Sequence, residues 1–517
     1  MSIEISGPAL TKLVTNSPVY LDLLAAATRL GAKDFTLWGP EAEAEAANRL
    51  NWIDLPTASR DLLPELDALS AWARSTELTN VILCGMGGSS LAPEVIAKTF
   101  KKKLSVLDST DPDQIRAAIP ADLRNTVVVV GSKSGSTIET ASQRALFTQL
   151  FSEAGLSPIE HMVIVTDPGS PLDVDARANN FRTINADPSV GGRYSALSAF
   201  GLVPAALLGV DVSVLLDDAA AAASHFTDAN SAAITLATLL FTQSEQAASF
   251  FDAGSKVPGI SDWIEQLIAE STGKNQRGRL PVVIESATAP TSGPTVTIGF
   301  SPNEKADLVV MASLGEHFIL WEWVTALLCR ALDVDPFNQP NVTEAKERTG
   351  TLLSQWSDGA VQQPAPAYED ELFQIFSDSK AQSLSGQLTD FFAADSHYVS
   401  VMAYLARGID DEITNSRSLI AARVKRAVTF GWGPRFLHST GQFHKGGQHN
   451  GAFLQITGEN YSDLAIPGKE FSFHTLLMAQ ALGDGEALRS RNFPLLRIHL
   501  KDRDQAIGQL LLALNSI

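Results

Sequence analysis

The sequence predicts an α/β protein built from two doubly wound αβα units, with a helical arm before them and a further α/β block after them. Three observations carry this reading. Short apolar runs alternate with helical stretches from residue 80 onward, the pattern of parallel βαβ units. A chain of 517 residues is long enough for about three domains at ~150 residues each. Apolar residues make up 45% and charged residues 19%, a globular composition, and no low-complexity tract or short-period repeat interrupts it.

In chain order, residues 1–75 show helical periodicity with no clear strand and form the arm. Residues 76–225 form the first unit, with strands expected at 81–84, 104–107, 126–130, 162–166 and 181–184. Residues 226–356 form the second, with a helix around 263–270 and strands at 281–285, 295–300 and 308–312. Two Pro and two Gln mark 357–368 as a linker. Residues 369–517 are expected to complete the second unit, with strands at 398–404, 427–430, 452–457 and 495–500 and a helix over 412–425.

Against 58 acidic residues stand 39 Lys and Arg, a net charge of −19 with no basic block to offset it. Nucleic-acid binding is disfavoured, because phosphate neutralisation needs clustered cations. An anionic small molecule has to be held by a few local donors. Cys84 and Cys329 lie too far apart in sequence for a CxxC site or a disulfide framework, which fits a reducing cytoplasm. Residues 1–17 carry no Lys/Arg-led apolar run and no stretch of 18 uncharged apolar residues occurs, so neither export nor membrane spanning is expected.

Two loops carry candidate chemistry. The strand at 81–84 runs into Gly85-Met86-Gly87-Gly88-Ser89-Ser90 and then a helix, a turn whose glycines let backbone approach a ligand. Asp108, at the end of the next strand, sits where a dinucleotide's ribose-binding acid is expected, yet the third glycine of that fingerprint is Ser90. The strand at 126–130 runs into Gly131-Ser132-Lys133-Ser134-Gly135-Ser136-Thr137 and a further helix. Four hydroxyls within six residues, beside one Lys and at a helix N-terminus, suit a terminal phosphate. A plain N-cap explains one hydroxyl but not four. No Walker pattern is present, which argues against nucleoside triphosphate chemistry.

Together these loops resemble the sugar-isomerase (SIS) domain. Gly191-Gly192-Arg193-Tyr194-Ser195-Ala196-Leu197-Ser198-Ala199-Phe200-Gly201 resembles a signature of the glucose-6-phosphate isomerase family. Glu270-Ser271-Thr272-Gly273-Lys274 and Asp335-Pro336-Phe337-Asn338-Gln339-Pro340 with Lys346 agree with it. Leu37-Trp38-Gly39-Pro40-Glu41 and Leu437-His438-Ser439-Thr440-Gly441-Gln442 look like the isomerase half of fused transaldolase and glucose-6-phosphate isomerase proteins, here without the transaldolase barrel. The resemblance implies two SIS-type domains and reversible interconversion of glucose 6-phosphate and fructose 6-phosphate through an enediolate, a step of glycolysis and gluconeogenesis. It also implies a sugar-phosphate ligand, a possible homodimer and no cofactor.

Aldose–ketose isomerisation needs a carboxylate base, a cation near the developing oxyanion and acid–base groups for ring opening, and it requires neither a metal nor a redox cofactor. By resemblance, Glu270 is the base, Arg193 stabilises the enediolate, and Lys346 and Gln339 lie at the sugar end. Gly87, Gly88, Ser89, Ser132, Lys133, Ser134, Ser136 and Thr137 hold the phosphorylated substrate. His438 matches the ring-opening histidine, although it follows Lys346 in the chain where most members place that residue earlier. His317, at the start of an apolar helix, and His444 and His449, in a glycine-containing loop, are the other candidates, with packing or solvent exposure as the plainer reading of each. A non-catalytic phosphosugar sensor and an isomerase that also accepts mannose 6-phosphate are the rival functions.

Overall fold

A computed structural model describes residues 3–244, 246–291, 295–356 and 361–517. Of the expected linker, 357–360 lie outside the described residues. The arm is not free of strands: β1 (Glu4–Ser6) pairs antiparallel with Val309, Val310 and Met311. Three residues are too few to show a period of two, so this strand is set by its partner rather than by its own pattern.

The first sheet comprises β2 (Asn80–Gly85), β3 (Ser105–Leu107), β4 (Thr126–Gly131), β5 (Met162–Thr166) and β6 (Arg182–Asn185), in the order β3-β2-β4-β5-β6 and parallel throughout. Val127 to Val130 are all fully buried, which is why the run is continuous rather than alternating: helices cover both faces. The chain leaves β2 for one side and returns to β4 on the other. Ligands of such sheets bind beyond the carboxyl ends of the two strands flanking this reversal, and both candidate loops lie there.

The second sheet comprises β7 (Ala247–Phe251), β8 (Leu280–Val283), β9 (Val296–Gly299) and β10 (Leu308–Met311), in the order β1-β10-β9-β7-β8. β7 escapes sequence reading because Ala-Ala-Ser-Phe-Phe does not alternate and follows the helix Ala232–Gln243 closely.

The C-terminal block has a sheet of its own. Rather than adding strands to the second sheet, it builds its own from β11 (Tyr368–Glu369), β12 (Phe373–Phe376), β13 (Tyr398–Tyr404), β14 (Ala427–Trp432), β15 (Gly451–Gly458) and β16 (Leu495–Leu500), in the order β11-β12-β16-β15-β13-β14. One face has a core of its own around Val399, Val401, Leu454, Ile456 and Ile498. The other, through Tyr398, Met402 and Phe453, shares a core with Phe251 and Leu280 of the second sheet. Strand ladders close within the block, and the two sheets meet through side chains.

Ion pairs fasten the block to the first unit. Arg435, after β14, contacts Glu94 at 2.9 Å and Asp108 at 2.7 Å, and Arg407 contacts the same two acids at 2.9 and 3.4 Å. Asp108 is therefore committed to a cross-unit ion cluster, which removes the ribose-binding alternative. Among the described residues no helix is long and apolar enough to cross a membrane. Arg435→Ala strands two buried carboxylates beside a single remaining guanidinium and should lower stability by about 3–5 kcal/mol. A urea midpoint equal to that of the parent would show that the cluster does not fasten the block.

Candidate active site

Beyond β2, Gly87 has φ +57°, and a Cβ on it would lie 2.7 Å from Gln266 Nε2 and 2.9 Å from the His438 carbonyl. At Gly88 a Cβ would fall 1.9 Å from the Gly192 carbonyl oxygen. The glycines thus permit a close meeting of protein segments: the β2 turn, the Gly191–Arg193 stretch, the helix Ile260–Thr272 and the segment ending at His438.

Beyond β4, the hydroxyl loop leads into the helix Ile138–Glu153. Ser132 Oγ donates to Thr137 Oγ1 at 3.2 Å, while the Ser134 and Ser136 hydroxyls lie 2.9 Å apart on the exposed rim. Lys133 lines the cleft but already has partners there. Its ammonium pairs with Asp167 at 2.5 Å and donates to the Pro188 carbonyl at 3.2 Å. Burial lowers its pKa from the ordinary value even with that partner. The loop's hydroxyls and the helix N-terminus remain as its anion donors.

Opposite the loop stand the residues expected to handle the sugar. Arg193, 4% exposed, donates through Nη1 to the carbonyls of Glu270 at 2.8 Å and Pro336 at 3.3 Å. Through Nη2 it donates to the carbonyls of Phe337 and Asn338 at 3.3 and 3.4 Å and to Gln339 Oε1, and lies 3.3 Å from Glu270 Oε1. Lys274 Nζ donates to the Asp335 carbonyl, so the loop 335–339 is held at both ends. Burial, with the Arg193 charge nearby, brings the Lys274 ammonium down to about 7.

A cleft of about 370 Å³ joins these groups. Its lining includes Gly87, Gly88, Ser89, Ser132, Lys133, Ser134, Thr137, Arg193, Glu270, Gln339, Lys346 and His438. Ser136 is absent from that lining and reaches the site only through Ser134.

Sequence reasoning missed four residues at this site. Gln266 donates to Glu270 Oε2 at 3.2 Å and to the His438 carbonyl at 2.8 Å; its i, i+4 spacing from Glu270 was the available signal. Glu139, in the first turn of its helix, contacts His438 Nε2 at 3.0 Å and accepts from Gln480 at 2.7 Å. Burial works to raise the Glu139 carboxyl, yet the charge and hydrogen bond of His438, with Lys346 nearby, hold it below its ordinary value. Glu45 and Arg49, 2.8 Å apart, bring the arm to the rim. Nothing in the sequence marks Glu139 or these arm residues as neighbours of the site.

The remaining histidines lie elsewhere. His317 is buried against Phe300. His444 is buried with its ring nitrogens 3.2 Å from the Tyr398 and Ser400 hydroxyls. His449 packs against Phe493 with tilted rings, and its Nε2 lies 2.6 Å from the Arg491 carbonyl.

The sequence model of the phosphoglucose isomerase family matches residues 60–290. A probable glucose-6-phosphate isomerase from Haloarcula marismortui is 31% identical over 243 residues, covering 45% of this chain and 56% of that protein. A glucose-6-phosphate isomerase from Citrifermentans bemidjiense is 35% identical over 258 residues, covering 43% of this chain and 48% of that protein. The chain thus spans about half the length of these curated relatives. The crystal structure of a glucose-6-phosphate isomerase from Chlamydia trachomatis shares the fold, with TM-score 0.52 at 21% identity over 64% of this chain and 78% of that one. Arg193 and Glu270 fall inside the matched phosphoglucose isomerase stretch, whereas Gln339, Lys346 and His438 lie after it.

Burial lowers the pKa of both His317 and His444 to about 3, below the ordinary 6.5. The unfolded chain therefore binds more protons, and the stability from keeping these rings neutral is complete above 6.5 and declines as pH falls toward about 3. In an NMR titration both imidazole signals should hold their neutral positions at about pH 5, and protonation there would contradict their placement in the core.

Proposed function

We propose that this chain is an aldose–ketose isomerase, an intramolecular oxidoreductase that interconverts glucose 6-phosphate and fructose 6-phosphate. The observation that carries the proposal is the convergence of Glu270, Arg193 and His438 on one cleft whose far end is a hydroxyl-rich loop at a helix N-terminus. Phosphate binds at that loop through Ser132, Ser134 and Thr137, with Ser136 supporting Ser134, and the helix dipole favours its charge. This fixes the other end of the sugar beside Glu270.

Glu270 takes a proton from C2 of the open-chain aldose and returns it to C1 while the O2 hydroxyl proton passes to O1, so C2 becomes the carbonyl and the carboxylate is regenerated in each cycle. Negative charge develops on the sugar oxygens between these transfers. Arg193 offsets it as a fixed cation: its hydrogen bonds to carbonyls hold it in place before the reaction, and no reorganisation is needed when charge appears. Gln266 orients Glu270. His438 transfers the proton for ring opening, with Glu139 fixing the ring through Nε2. Gln339 and Lys346 contact the sugar end of the substrate. Because His438 enters the cleft of its own chain, each subunit holds the full set.

A phosphosugar sensor has no use for a buried Arg–Glu pair at the sugar end, which is why the catalytic reading is preferred. Glu270→Gln should lower kcat by several orders of magnitude while a 6-phosphate inhibitor binds nearly as before, measured by coupled assay and calorimetry. Retained turnover would remove Glu270 from the role of base.

Loss of loop hydroxyls should have the opposite signature. Ser134→Ala and Thr137→Ala should chiefly raise KM, each by an amount corresponding to about 1.5–3 kcal/mol for a hydrogen bond to a charged group. If the preference for the phosphorylated over the unphosphorylated sugar stays as in the parent, the loop is not the phosphate site.

A further inference from the structure

We propose that a second cleft, formed by a different face of the helix Ile260–Thr272 and by β14, binds a small organic cation: a primary ammonium carried on an apolar body. The cleft has a volume of about 220 Å³ and is lined by Asp262, Glu265, Arg417, Phe430, Trp432 and Arg435, among others. It shares no lining residue with the sugar-phosphate cleft, since Gln266 and Glu270 of the same helix face the other way.

The charge balance selects the ligand. Arg417 is committed to Glu285 through Nε at 2.7 Å and Nη2 at 2.5 Å, and donates to the Pro290 carbonyl at 3.2 Å. Arg435 is committed to Glu94 and Asp108. Glu265 is only 8% exposed, yet its carboxyl makes no hydrogen bond or ion pair among the described residues, and neither does that of Asp262. Both carboxyls open onto the cleft, and a largely buried polar group so placed on a cavity wall has room for a partner that the chain itself does not supply. Burial raises both carboxyls above their ordinary pKa, and neighbouring acids add to this, against the opposing charge of Arg435. A cation between them would reverse that situation.

The walls narrow the class further. Phe430 and Trp432, with ring centroids 5.2 Å apart, offer aromatic surface for a cation and for the carbon chain bearing it. A bare metal ion would find two carboxylates in a space many times its size, and no group of three metal-ligating side chains occurs among the described residues. An ammonium on a short apolar chain meets both features. The inference stands independently of the isomerase proposal, because it uses none of that cleft's residues.

Calorimetry of the full chain with 1,4-diaminobutane tests it, using 1,4-butanediol as the uncharged control and two buffers of different ionisation enthalpy. Saturable binding of the diamine alone, with protons released on binding, is the expected result. Glu265→Gln and Asp262→Asn should each weaken it at least about tenfold, and Asp262→Asn suffices should the more buried variant fail to fold. Saturating glucose 6-phosphate should leave diamine affinity unchanged. The proposal is overturned if the diamine shows no saturable binding, if the diol binds equally, if affinity survives in the folded variants, or if the sugar phosphate competes.

Discussion

The buried guanidinium of Arg193 organises one end of the cleft. It is a charge almost wholly removed from water, and such a charge is tolerated only when its donors are satisfied. Here they are satisfied by Glu270 and by consecutive residues of the 336–339 stretch. The same contacts that make the buried charge tolerable therefore set the position of Glu270 and of the loop that precedes the helix Pro340–Gln355. Burial, satisfaction and the geometry of the cleft are one arrangement.

A second constraint is steric. Gly88 meets the Gly192 carbonyl with no room for a Cβ, and Gly87 is crowded by Gln266 and the His438 backbone. The β2 turn, the Arg193 segment, the helix carrying Glu270 and the C-terminal block approach one another through backbone contacts here. Those contacts, together with the Arg435 ion cluster, carry His438 to a site whose other members come from residues about a hundred or more positions earlier. The block forms its own sheet, but the loop after its edge strand β14 completes the cleft.

Much of this was legible because it is local. Parallel strands buried on both faces appear as continuous apolar runs, and the strands at 81–84, 126–130 and 162–166 were read for that reason. The hydroxyl loop announces itself by composition at a strand-to-helix junction. Glu139 was illegible because its significance comes from His438, 299 positions away, and from Gln480, 341 away. Lys133 shows the same dependence: a lysine beside four hydroxyls looks like a free anion ligand until Asp167 is placed against it.

The sequence by itself determined the α/β class, the two loops at the carboxyl ends of β2 and β4, and a set of residue types suited to proton transfer near an anion, since periodicity and turn chemistry are properties of neighbouring residues. Only the tertiary structure decided that the C-terminal block forms its own sheet, that Asp108 serves an ion cluster, that His438 meets Glu139, and that Glu265 faces a separate cleft. Those outcomes depend on which distant surfaces exclude water together and which buried charges find partners there, and no local pattern encodes that pairing.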